Sequence, residues 1–303
     1  MKKTFELISK ILLLCAFLFV CMAAFSPVTG NQNSKPSEDA ILQLLIYCIL
    51  TASILTLIIN KSSVRGLHLT VVCFTISWGI QYFMTQIETL YFNNSVKMPL
   101  SVLVRTVTYG ALYTAVVCLF AVFLFGKFKN TDIAPNQQKA KLPIGKFIRD
   151  IIALSLIYVV TYFTFGYFVA WQFTDVRLFY TGSTRILNFF GHMSNQFRQD
   201  PILPLFQLFR GFLWALIAIL ILKSLKLRNR IAFVIIPGLI FSVLISSMLL
   251  FPNAYMPVTV RIGHSFELFT SMMTFGIISS FIFKKQFFAD SYDNYQDSTT
   301  AHL

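Results

Sequence analysis

Apolar residues in this chain come in runs of about 20, broken by short polar segments, from one end of the sequence to the other. A run of that length matches the hydrocarbon thickness of a bilayer, where a helix satisfies its own backbone hydrogen bonds. Only 12% of the residues are charged and 56% are hydrophobic, against about twice that charged fraction in ordinary soluble domains. The fold class this implies is all-α, a polytopic integral membrane protein with eight transmembrane helices. The runs predict spans at Ile11–Phe25, Ala40–Asn60, Leu67–Phe92, Pro99–Phe125, Phe147–Trp171, Ile202–Leu222, Ile231–Phe251 and Val258–Phe283.

Lysine and arginine set the orientation. Of the 25, seventeen fall in the breaks on one side, five in those on the other, and three arginines lie within spans. The bias alternates loop by loop, which places both termini in the cytoplasm and the protein, as a multi-pass chain, in the plasma membrane. The formal charge of +13 is therefore a charge of span ends and not a nucleic-acid-binding face. Five cysteines, Cys15, Cys21, Cys48, Cys73 and Cys118, all fall inside apolar runs, with no CxxC pair and an odd count. That indicates neither a disulfide framework nor a thiolate metal site, and reads them as small core residues.

The organisation reads as a first four-helix half over residues 1–125, a basic cytoplasmic linker over 126–146, a second four-helix half over 147–285 and a polar tail over 286–303. The first run resembles a signal peptide in its flanking Lys2, Lys3 and Lys10, with Val28-Thr29-Gly30 small enough to end one. The multispanning chain behind it favours an uncleaved first helix, and Leu18-Phe19-Val20 is too bulky for lipid attachment at Cys21. Between the fifth and sixth spans, Gln172 to Asp200 mixes aromatic residues with Arg177, Arg185 and Arg198, the pattern of an amphipathic segment at an interface or over the bundle end.

The two halves share a signature. LYFNNSVKMPLSVLVR (Leu90 to Arg105) opens the fourth span and LLFPNAYMPVTVR (Leu249 to Arg261) opens the eighth. LQLL at Leu42 and FQLF at Phe206 open the second and sixth. An internal duplication of four helices, an even number, yields parallel repeats about an axis along the membrane normal, with a shared site between them.

Charge inside the spans is the main functional signal, because each such group needs a partner or a wet cavity. The acidic groups are Glu88 and Glu267; Arg105, Arg210, Arg261 and His264 are the basic ones, all in the outer half. Each extends into a stripe at helical spacing: Trp78, Gln81, Thr85 and Glu88; Arg105, Tyr109 and Tyr113; Gln207, Arg210 and Trp214; His264, Glu267, Ser271 and Thr274. A purely structural account pairs Glu88 with Arg105 and Glu267 with Arg210. Three arginines against two glutamates instead suggest binding or transport of an anionic solute or lipid headgroup, with Tyr109, Tyr113, Gln81, Gln207 and Trp214 lining the site. His264 and Glu267, with Glu88 as a third ligand, would suit a metal-assisted hydrolase or transferase of envelope lipids. The same histidine and glutamate would suit proton-coupled transport, with Gly79 and Pro237-Gly238 as bending points. The sequence contains neither a GxSxG motif nor a glycine-rich phosphate loop, and names no cofactor. Membrane lipids and an anionic small molecule are the partners this reading expects.

Overall fold

The structure is a computed structural model that describes residues 2–25, 38–129, 144–250 and 255–288. Most of the basic linker, the Val28-Thr29-Gly30 segment, Asn253 of the repeated signature and the polar tail from Asp290 lie outside the described residues.

Among the described residues the regular elements are helical, apart from one isolated antiparallel bridge. The first half holds α1 (Lys2–Phe25), α2 (Glu38–Lys61), α3 (Gly66–Trp78), α4 (Met84–Tyr91), the short α5 (Asn93–Val96) and α6 (Leu100–Leu124). The second holds α7 (Ile144–Phe168), α8 (Thr174–Thr181), α9 (Phe189–Gln199), α10 (Leu203–Ser224), α11 (Arg230–Met248) and α12 (Val258–Phe287). A π turn over Gly79–Phe83 joins α3 to α4 into one rod, and among the described residues eight rods are long and apolar enough to cross a membrane. The first starts at Lys2 and not near Ile11, because Glu6 and Lys10, one turn apart, pair at 2.7 Å and carry the helix through its polar turns.

Within the first half, α1 packs on α2 and α6, and α3 packs on α6. Within the second, α7 packs on α10 and α12, and α11 packs on α12. The halves meet where α2 lies against α11 and α10 against α3. A single apolar core crosses that boundary, including Leu55 and Ile76 from one half and Trp214, Phe241 and Phe275 from the other. The five cysteines are free and buried in the helices of the first half.

Two local devices shape the bundle. The π turn inserts an extra residue per turn and brings Gln81 inside, where its amide donates to Thr51 at 3.2 Å and to Ser247 of the other half at 3.5 Å. At one end of the bundle the loops after α2 and α10 pair through the Ser62–Leu225 bridge: Ser63 N donates to Ser224 O at 2.8 Å and Lys226 N to Lys61 O at 2.7 Å. The other end is covered by the segment between α7 and α10. There α8 packs on the first turns of α12 through Val176 and Val260, and α9 packs through Met193 on Phe163, Tyr167 and Leu203. The amphipathic segment thus caps the bundle.

The close approach of α11 and α12 depends on the absence of side chains. A Cβ on Gly276 would lie 2.5 Å from Cα of Gly238 and 2.6 Å from its nitrogen, and backbone has nowhere to retreat. Gly276→Leu is therefore expected to destabilise the protein by about 1–3 kcal/mol or more. Thermal unfolding in detergent followed by size exclusion reads this directly. Gly145→Ala, where nothing lies within 4 Å, is the control; equal unfolding of the two variants would contradict the described helix contact.

Candidate functional site

The capped end of the bundle holds a polar centre contributed by α4, α10 and α12. Its central charge is Arg210, which is 1% exposed two turns into α10. Burying a guanidinium is tolerable only when it is paired and its donors are used. Arg210 reaches across the boundary between the halves: Nη2 meets Glu88 Oε2 at 2.7 Å and the Met84 carbonyl at 3.5 Å, and Nη1 donates to Gln207 Oε1 at 2.9 Å. The rings of Tyr158 and Phe206 lie 5.7 and 5.8 Å from the guanidinium carbon, so aromatic faces cover the charge where no carboxylate does. Close by, Tyr91 OH donates to the Asp200 carboxylate at 2.7 Å and its ring stacks on Phe206, tying the halves a second time.

Glu267 is buried on α12, one turn from His264. Its Oε2 lies 3.5 Å from His264 Nδ1, and its Oε1 accepts from Ser271 Oγ at 3.3 Å. Among the described residues His264 is its ion-pair partner, and no arginine or lysine reaches it. His264 Nε2 is buried without a hydrogen bond, and the edge of the Tyr180 ring stands against the imidazole at 5.6 Å. Tyr180 belongs to α8, so the cap forms the roof of the centre. Burial pushes its hydroxyl above the ordinary tyrosine range, and the negative charges of Glu88 and Glu267 push it further.

The expected pairings are exchanged. Glu88 takes Arg210, not Arg105, and Glu267 takes His264, not Arg210. The reason lies in lateral packing: α10 abuts the α3–α4 rod, whereas Arg105 sits on an exposed face of α6 with no ion pair among the described residues. Arg261 is buried but turned to α11, where Nη1 donates to the Leu249 and Leu250 carbonyls at 3.1 and 3.4 Å and caps that helix. Only one of the three arginines thus reaches the centre. Gln207 belongs to it through Arg210, and Trp214 is fully buried beneath it against Tyr158. Gln81 and Tyr113 are buried elsewhere, with Tyr113 against Tyr82, and Tyr109 is half-buried on α6. The metal triad does not assemble either: among the described residues no three His, Cys, Asp or Glu side chains converge as ligands. His192 packs on Trp171 and Tyr167, not on His264, and that burial holds its imidazole below the usual range.

Sequence reasoning missed the aromatic shell. Tyr158 and Tyr162 stand one turn apart on α7, a spacing the sequence displays, but nothing in it points them at Arg210. Tyr180 was legible only as part of an amphipathic segment. Comparisons with family models, curated proteins and solved structures each found no match.

The geometry predicts an asymmetry between the two halves of the central pair. Glu88 is 26% exposed against 1% for Arg210, so the arginine is the more completely sealed charge of the two. Glu88→Leu is expected to cost about 3–5 kcal/mol, as for other buried charges left alone. Arg210→Leu should cost clearly less, and the double variant should recover most of the loss. Unfolding temperatures of the three proteins in detergent check the order; a reversed order, or additive losses, would dismiss the pair as described.

Proposed function

We propose that this protein is a multi-pass transporter of the plasma membrane, built of two four-helix repeats, that exchanges a proton at Glu267 and His264. The observation that carries this reading is that a buried carboxylate has a histidine as its cationic partner, while the arginine beside it is committed to a second carboxylate. The Glu267–His264 pair is neutral when it holds one proton, as imidazolium with carboxylate or imidazole with carboxylic acid. Loss of that proton leaves a net negative charge in a site whose other charged groups, Glu88 and Arg210, already cancel. Among the described residues the other groups in contact with the pair are uncharged: Tyr180 from α8 and Ser271 from α12. A cationic solute or a second proton supplies the missing charge. The anionic solute expected from three arginines has less support, since Arg105 and Arg261 are placed elsewhere.

The repeat is supported by the pattern of neighbours. Replacing α1, α2, α3 and α6 by α7, α10, α11 and α12 reproduces the packing within each half, and it exchanges the two contacts between halves, α2 with α11 and α10 with α3. The two hydrogen bonds of the Ser62–Leu225 bridge are exchanged in the same way. Both α6 and α12 begin after an extended proline, Pro99 at ψ 137° and Pro257 at ψ 150°. An axis along the membrane normal would relate the halves, as in parallel-repeat transporters, with the polar centre beside it. The lysine and arginine bias puts that centre toward the outer face and the termini in the cytoplasm.

Infrared difference spectra of the reconstituted protein between acid and alkaline buffer test the proton. A carboxyl band that titrates is expected in the wild type, absent in Glu267→Gln and displaced in pH in His264→Ala. Persistence of the same band in Glu267→Gln would overturn the assignment.

A further inference from the structure

A groove of about 530 Å³ runs between α2, the end of α11 and the first turns of α12, on a flank the polar centre does not use. Its apolar walls are Leu250, Ile262, Phe266 and Phe269. Ile262, Phe266 and Phe269 are 44%, 58% and 40% exposed, so the groove opens sideways, onto the face that a bilayer would cover. Its polar groups are two serines, Gln43 and Arg261. The serines are spent on backbone: Ser265 Oγ donates to Ser246 O at 3.3 Å and Ser246 Oγ to Ser242 O at 2.6 Å. Gln43 differs. It is half-buried, and its amide has no partner among the described residues. The corresponding glutamine of the second half, Gln207, is held by Arg210.

These groups are also ordered along the groove. Gln43 and Arg261 lie in the first turns of α2 and α12, and Phe266 and Phe269 lie one to two turns deeper. A cation and a free amide above an apolar slot match a molecule with an anionic head at the interface and a chain running inward. We propose that this groove binds one anionic phospholipid, its phosphate on Gln43 and Arg261 and an acyl chain along Ile262, Phe266 and Phe269. The site rests on the membrane reading of the protein but not on proton exchange at Glu267.

Native mass spectrometry of the detergent-purified full chain, titrated with phosphatidylglycerol and with phosphatidylcholine of the same acyl chains, tests it. One saturable phosphatidylglycerol is expected, with phosphatidylcholine at least about tenfold weaker. Gln43→Leu, which replaces an unpartnered amide by an isosteric apolar group, should weaken phosphatidylglycerol about tenfold. Ile262→Trp, which fills the slot from an exposed wall position, should abolish the saturable site, and unchanged unfolding temperatures show that both variants fold. Equal binding of the two lipids, retention of the site in Ile262→Trp, or no bound lipid would overturn the proposal. Extraction of membranes with alkaline carbonate separates this failure from failure of the membrane reading, since only the latter releases the protein.

Discussion

The charge on Arg210 is the constraint that the capped end of the bundle answers to. A guanidinium sealed from solvent on α10 must find its counter-charge within reach of its fork, and no acidic residue on its own helix can supply it. Glu88 does so from the other half, and the contact therefore fixes how α10 sits against the α3–α4 rod. Gln207, Tyr158 and Phe206 complete the enclosure from the second half. At the opposite end the halves are held by backbone, through the loops after α2 and α10. One boundary is thus tied by a charge at one end and by two amide hydrogen bonds at the other.

With Arg210 satisfied, the neighbouring carboxylate is left with a partner of a different kind. Glu267 has a weak, protonation-dependent partner in His264 and a hydroxyl in Ser271, under a tyrosine roof. A centre with two carboxylates, one arginine and one histidine changes its net charge with a single proton. A centre with three arginines would have called for an anion. The difference between the two functional readings comes down to where Arg105 and Arg261 point, and both point away from the centre for local reasons.

Much of the fold was legible because a helix long and apolar enough to cross a membrane leaves a run of that length in the sequence whatever the packing. The polar stripes were legible in part. Gln207, Arg210 and Trp214 come out buried together, as do Glu267 and Ser271, because three or four residues keep a helix face. The stripe Arg105, Tyr109 and Tyr113 drifts: eight residues turn about 80° away from a common line, enough to bury Tyr113 and expose Arg105. Partner choice was not legible at all. It depends on which helices are neighbours across the boundary, on a π turn at Gly79–Phe83 that no single residue announces, and on Arg261 being drawn to the free carbonyls at the end of α11.

Arg210 of one half is neutralised by Glu88 of the other, and cutting the chain within residues 130–143 puts that contact to the test. Co-expressed as two fragments, with the tag on the first, the halves should purify together, and Glu88→Leu in the first fragment should sharply reduce recovery of the second. Recovery unaffected by Glu88→Leu, or a second fragment that folds and persists without the first, would show that Arg210 finds its charge balance elsewhere.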